Sequence, residues 1–159
     1  MAEKKIAVFP GTFDPFTRGH ESVVRRAMSL FDEIIIAVGA NSLKEGYFSV
    51  DSRKRMISDT FKGHEKIKVA HYTGLTVDFC KSAGAKYLLR GIRTAADFEY
   101  ERAIAQMNKS MAPGIESIML LTTPEHTPIN STIVRDIIRN GGDASQFIPE
   151  GIDIKNYVR

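Results

Sequence analysis

Five short apolar runs recur along the chain, each separated from the next by a stretch suited to a helix, and this alternation constrains the fold more than any other feature. The runs are "KKIAVFPG" (4–11), "EIIIAVGA" (33–40), "KIKVAHYTG" (66–74), "KYLLRG" (86–91) and "ESIMLLTT" (116–123). Several are continuously apolar rather than alternating, as expected of strands in a parallel sheet covered on both faces. Between them, His20, Val24, Ala27 and Phe31 fall on one helical face, joined by Val23 and Met28. Ala96, Tyr100, Ala103, Ile104, Met107 and Met111 form a longer stripe at helical spacing. Asp51 or Ser52 is expected to cap a helix running to about residue 62. Asn130 or Ser131 is expected to cap another over 133–139, stopped by Gly141 and Gly142. Strand–helix–strand units connect right-handedly. The expectation is therefore one α/β domain over 1–159: a doubly wound, five-stranded parallel sheet with helices on both faces. The end of the chain, from about residue 144 and including "FIPEGIDIKNYVR", reads as a short appended helix or tail.

The size of the chain, 159 residues, suits one core, and no linker, repeat or low-complexity stretch divides it. A single cysteine, Cys80, rules out an internal disulfide and reads as a small helix hydrophobe, so a reducing cytoplasm is the expected setting. The four-residue apolar run at 6–9 is too short for a secretion signal. No run approaches the roughly 18 apolar residues that cross a bilayer, so no membrane partner is expected. Lys and Arg number 22 against 19 Asp and Glu, a net charge of +3, with no basic block of five or six residues. That balance is too mild and dispersed to argue for nucleic acid, which is not an expected partner, and it suits small anionic ligands.

In doubly wound sheets ligands bind beyond the carboxyl ends of the strands, which directs attention to the residues after 9, 40, 74, 90 and 122. The first of these places holds "FPGTFDPFTRGH" (9–20). Gly11 follows the strand, Thr12, Asp14 and Thr17 form turns and caps, and Gly19 stands where the chain enters a helix. A strand, a glycine-bearing loop and a helix N-terminus together make an anion site. The spacing is that of neither a dinucleotide-binding G-x-G-x-x-G nor a P-loop. Taken alone, His20 is either a satisfied core residue or a donor to phosphate. Arg90 ends an otherwise apolar strand and is expensive to bury unpaired. With Arg93 three residues on, around Gly91, it either pairs within the fold or faces a ligand anion. Lys44 alone reads as a loop lysine, Glu101 as a solvated charge off the apolar stripe, and Ser131 and Thr132 as ordinary residues of a helix start. His64, His71 and His126 are scattered, and no H-x-x-x-H, cysteine pair or Asp cluster offers a metal site.

Three blocks carry a resemblance. "GTFDPFTRGH" (11–20) resembles the first signature of nucleotidyltransferases with a T/H-x-G-H motif, and in full the pattern of bacterial phosphopantetheine adenylyltransferases. "RGIRTAADFEYE" (90–101) resembles that family's most distinctive internal segment, and "INSTIVR" (129–135) is similar to the superfamily's I-S-S-T-x-x-R signature. The resemblance runs over nearly the whole chain. It implies a Rossmann-like nucleotidyltransferase that reversibly moves an adenylyl group from ATP to 4′-phosphopantetheine, giving dephospho-coenzyme A and pyrophosphate in coenzyme A biosynthesis. Magnesium held by the ATP phosphates, a homohexamer and feedback by coenzyme A come with it.

Residue by residue, the resemblance puts Thr12 against both substrates, the Phe13 backbone against phosphate, and His20 on the α-phosphate as transition-state stabiliser. Lys44 reaches the transferred phosphate, Arg90 and Thr76 meet phosphopantetheine, and Gly91, Ile92 and Arg93 meet ATP, Arg93 also as a catalytic residue. Glu101 meets the ribose or base, and His126, Thr127, Pro128, Ile129, Asn130, Ser131 and Thr132 surround the nucleotide, its β- and γ-phosphates lying at a helix start. Four positions depart from the family pattern: Asn130 for a serine, Glu45 and Gly46 for a basic residue and proline, and His126 for an aromatic residue. The nearest alternative is a sister nucleotidyltransferase acting on another phosphate, against which the 90–101 block speaks.

Overall fold

The computed structural model describes residues 2–40 and 43–158. Its strands are β1 (Ile6–Gly11), β2 (Glu33–Gly39), β3 (Ile67–Tyr72), β4 (Tyr87–Ile92) and β5 (Glu116–Leu121). The helices are α1 (Arg18–Ala27), α2 (Val50–Thr60), α3 (Thr76–Ser82), α4 (Ala95–Met111) and α5 (Ser131–Arg139). All strand pairings are parallel and the sheet order is β3-β2-β1-β4-β5, the expected doubly wound architecture.

The period of two along each strand distributes side chains to both faces. Ala7, Phe9, Ile34, Ile36, Val38 and Leu89 meet Val23, Val24, Ala27, Met56 and Ile57 of α1 and α2 in the larger core. Val8, Ile35, Ala37 and Leu88 turn the other way, onto Val77 and Cys80 of α3 and onto Ala112 and Ile115. Cys80 is thus the buried helix hydrophobe expected. One cap differs from the sequence reading and one agrees with it. Ser49, rather than Asp51 or Ser52, caps α2 by accepting from the Ser52 amide. Asn130 caps α5 by accepting from the Ile133 amide at 2.8 Å.

Two expectations are made definite. The stripe on α4 exists but faces outward: Tyr100, Ile104, Met107 and Met111 are 69%, 38%, 65% and 47% exposed. The buried member of that helix is Glu101, at 8%. Periodicity fixes which residues share a face, and says nothing of whether that face meets this chain's own sheet. The C-terminal stretch, over its described residues, carries 3₁₀ turns (Ser145–Phe147 and Ile154–Asn156) and no α-helix. It is strapped down: Arg18 Nε donates to the Ile148 carbonyl (2.7 Å), Arg55 to that of Asn156 (2.6 Å), and the Tyr157 hydroxyl to Asp59 (2.6 Å). Arg159 lies outside the described residues. No helix among the described residues is long and apolar enough to cross a membrane.

Candidate active site

Because β1 lies between β2 and β4, the winding reverses at the β1/β4 gap, and the loops leaving these two strands part above it. Two cavities open there, of about 370 Å³ and about 240 Å³. The larger is bounded by the 12–17 loop, the starts of α1 and α5 and the end of β4. The smaller lies among Gly39, Tyr72, Thr76 and α4. Pro10, Gly11, Thr12, Arg90, Tyr100 and Glu101 line both, so the two compartments meet across one wall.

The loop after β1 is over-determined. Phe13 has φ +50°, a left-handed backbone that costs a residue with a side chain roughly 1–2 kcal/mol. Its ring is fixed between Phe9 and Phe16, each with centroids 5.3 Å away. Gly11 is needed beneath it, since a Cβ there would stand 2.8 Å from the ring. Three successive features of other elements take up the loop's carbonyls. Thr12 O accepts from Arg53 Nη1 at 2.8 Å, Asp14 O from Arg135 Nη1 at 2.6 Å, and Pro15 O from Ser131 Oγ at 2.9 Å. Helices α2 and α5 thereby hold the loop's shape in advance of any ligand.

His20 is the third residue of α1 and completes a capping box with Thr17, in the place usually taken by Glu or Gln. The Thr17 backbone amide donates to His20 Nδ1 at 3.0 Å. An amide can only donate, so Nδ1 is unprotonated and the ring's hydrogen sits on Nε2. The ring stacks on Phe16 at 5.4 Å and meets Phe13 edge-on at 5.0 Å. Burial, and after it the charges of Arg90 and Arg93, lowers its pKa from 6.5 to about 3. Chemically, His20 is a fixed neutral Nε2–H donor.

Arg90 resolves one of the alternatives left by the sequence. Its Nε and Nη2 donate to Glu101 Oε2 and Oε1 at 2.8 and 2.7 Å, and its Nη1 donates to Pro10 O at 2.6 Å. Glu101 is therefore the internal counterion of Arg90, and the pair forms the wall that the cavities share. Arg93 pairs with Asp97 at 3.2 Å and donates to Ile129 O at 3.1 Å, tying the end of β4 to the 126–132 segment.

Thr12, Phe13, His20, Arg90, Gly91, Arg93, Glu101, His126, Ile129, Asn130, Ser131 and Thr132 all border the larger cavity. Thr76 borders the smaller, its hydroxyl 2.8 Å from that of Tyr72. Lys44 is exposed on the turn before Tyr47 and lines neither. Ile92 is 5% exposed, a core residue. The Thr127 hydroxyl donates to Thr123 O at 3.3 Å, Pro128 is exposed, and neither lines a cavity. Sequence reasoning passed over Arg135, Tyr100, Asn108 and Ser117. Arg135 had a signal, as the last residue of "INSTIVR"; among the described residues it donates to neutral oxygens, Asp14 O and Thr132 Oγ1, and leaves its charge at the cavity. Asn108 and Ser117 had none, since only the approach of α4 to β5 brings them to the smaller cavity.

A comparison with family models matches residues 8–137 to the cytidylyltransferase-like family. A phosphopantetheine adenylyltransferase of Flavobacterium psychrophilum is 51% identical over 149 residues, 94% of this chain and 98% of the relative. One of Bacteroides thetaiotaomicron is 52% identical over 148 residues, 93% and 97% of the two chains. Among solved structures, a bifunctional NMN adenylyltransferase/ADP ribose pyrophosphatase from Francisella tularensis, complexed with AMP and a manganese ion, superposes with a TM-score of 0.71 at 19% identity. That likeness covers 96% of this chain and 46% of the longer protein, and it bears on the fold alone. With half its residues identical to theirs over nearly its whole length, the chain belongs to the phosphopantetheine adenylyltransferases of the cytidylyltransferase-like family.

Proposed function

We propose that this chain transfers the adenylyl group of ATP to 4′-phosphopantetheine, reversibly, with dephospho-coenzyme A and pyrophosphate as products, in coenzyme A biosynthesis. The observation that carries the reading is a neutral, capped His20 in a cavity that two helix N-termini border and that shares a wall with a second cavity. ATP takes the larger cavity, its phosphates at the starts of α1 and α5, and phosphopantetheine takes the smaller, its terminal phosphate at the wall of Thr12 and Arg90. An oxygen of that phosphate attacks the α-phosphorus of ATP, and the bond to the bridging oxygen breaks to release pyrophosphate. The protein contributes alignment and fixed donors rather than a nucleophile. His20 Nε2–H donates to the α-phosphate oxygens as charge gathers there, and being neutral it asks for no proton transfer. Lys44 acts on the same phosphate when its loop lies over the site, and Arg93 steadies the nucleotide.

Magnesium is expected to arrive on ATP. Among the described residues no group of three His, Cys, Asp or Glu side chains stands together, so the hydroxyls of Thr12, Ser131 and Thr132 and the phosphate oxygens are the donors that suit it. When bound, it neutralises charge on the β- and γ-phosphates. The outward apolar face of α4 supports a homohexamer, since four large side chains stand exposed there and Leu121 of β5 is 71% exposed as well. Coenzyme A shares the pantetheine arm and is assigned to the smaller cavity as a feedback inhibitor. A cytoplasmic setting belongs to the same reading, with the one buried thiol of Cys80 compatible with it.

The test is pyrophosphate release from ATP and magnesium with 4′-phosphopantetheine, against nicotinamide mononucleotide and glycerol phosphate. Release with phosphopantetheine alone is the expected result; release only with another acceptor overturns the substrate. In the same assay His20→Ala should lower kcat by roughly 10²–10³-fold with the Kd for ATP nearly unchanged.

A further inference from the structure

We propose that Asp14 is a positioning residue for adenylyl transfer: its buried carboxylate fastens the Lys44 loop to the phosphate-binding loop after β1. Asp14 is 4% exposed, yet both its oxygens are engaged with another segment of chain. Oδ1 accepts from the Phe48 amide and Oδ2 from the Tyr47 amide, both at 2.8 Å. Arg53 crosses the same seam, donating from Nη1 to Thr12 O at 2.8 Å and from Nε to Phe48 O at 3.1 Å. Gly46 closes onto it, because a Cβ there would stand 3.0 Å from both Asp14 Oδ2 and Arg53 Nη2. The main chain of Asp14 is itself held, through its carbonyl, by Arg135 of α5. One residue therefore joins the loop under the α-phosphate, the helix start assigned to the β- and γ-phosphates, and the loop bearing Lys44.

Lys44 stands three residues before the first clamped amide, so roughly 10 Å of chain separates it from the anchor. Its side chain is exposed and meets no cavity wall by itself. On the other side of Lys44 the Ala40 amide donates to Tyr72 O at 2.8 Å at the end of β2. Without the carboxylate the Tyr47 and Phe48 amides lose their acceptor, and Lys44 spreads over more positions. Asp14 borders the larger cavity, and each of its carboxylate oxygens faces an amide of the Lys44 loop, so the role assigned to it is to place Lys44.

The proposal rests on the role given to Lys44, and two measurements keep the two apart. In single-turnover pyrophosphate release, Asp14→Asn, which keeps the shape but presents an amide to an amide, should lower kcat about 100-fold. Its Kd for ATP should stay within about threefold of the parent's. Lys44→Ala should cost a similar factor, and the double variant should fall within about threefold of Lys44→Ala alone, because an unplaced lysine has little left to lose. Losses that multiply would overturn the proposal. Independently of activity, trypsin should cut native Asp14→Asn after Lys44 at least about tenfold faster than the parent, as local opening dictates. Cutting after the exposed Lys62 should be equal in the two proteins. An unchanged rate after Lys44 refutes the clamp, whatever the kinetics. If Lys44→Ala retains full activity, the role of Lys44 fails and the trypsin result judges the clamp alone. Should Asp14→Asn not fold, Asp14→Glu, which carries the two oxygens one methylene further out, is read by both assays.

Discussion

Lowering the pH from 7 to 5 in the ligand-free protein should cost stability through His20 specifically. In the unfolded chain the imidazole has its ordinary pKa of 6.5, whereas in the fold it is lowered to about 3. The folded state therefore refuses a proton that the unfolded state accepts, so stability is complete above 6.5 and is lost as the pH falls from there toward 3. At pH 5, one and a half pH units below the unfolded value, the loss is about 2 kcal/mol at roughly 1.4 kcal/mol per unit. The assay is urea unfolding at the two pH values, at equal protein concentration, for the parent and for His20→Asn. The Asn side-chain oxygen can still accept from the Thr17 amide, as Nδ1 does at 3.0 Å, but it does not titrate. Removing the ring lowers stability at both pH values, so only the difference between them is compared. His64, His71 and His126 are common to both proteins and cancel. The parent should lose about 2 kcal/mol more than His20→Asn over this interval. Equal losses would refute the argument, as would an imidazole C2–H resonance of His20 that titrates between pH 6 and 7. Either would mean that burial and the two arginines do not hold the ring neutral below pH 6.

Glu101→Gln keeps the shape of the shared wall but removes the counterion of Arg90, which is itself 32% exposed at its side chain. Thermal unfolding should register a loss of about 1–2 kcal/mol, and the KM for phosphopantetheine should rise while that for ATP moves less; no change in either Tm or KM would mean that the pair is idle. Met107→Glu puts a charge on the α4 face where Met107 is 65% exposed. Sedimentation velocity should find smaller particles than for the parent, with the circular dichroism of the fold retained, whereas an unchanged mass would move the subunit contacts elsewhere.

The sheet was legible because continuous Val, Ile and Leu runs leave a strand few places other than the middle of a parallel sheet. All five strands occur within a residue or two of their expected bounds, and Asn130 caps α5 as one of two candidates. Helix α3 had no bounds in the sequence, only Cys80 as a helix hydrophobe. Seven residues with a Leu at the cap position and no side-chain capping bond give neither a start signal nor two full turns of periodicity. The α4 stripe was legible as a face but not in its direction, since a helix that buries Glu101 against Arg90 and exposes five large apolar side chains is built for contacts beyond its own sheet.

The site divides along the same line. Residues to which the proposed reaction assigns chemistry of their own, such as His20 and Arg90, stood out because their types are costly where the sequence puts them. Residues that act by holding backbone did not. Asp14 looked like one more turn former, and Arg53 had no reading, because a carboxylate that accepts from the amides of Tyr47 and Phe48 leaves no mark on residues 47 and 48 themselves. Any side chain can follow an amide. Long-range side-chain-to-backbone bonds are thus the part of an active site least visible in a single sequence. In this chain they fix the phosphate loop: Arg53, Ser131 and Arg135 hold the Thr12, Pro15 and Asp14 carbonyls before a phosphate arrives. A site whose task is to align two polyanions needs that rigidity as much as it needs the donor on His20, because a donor contributes only where the backbone has already put the phosphate.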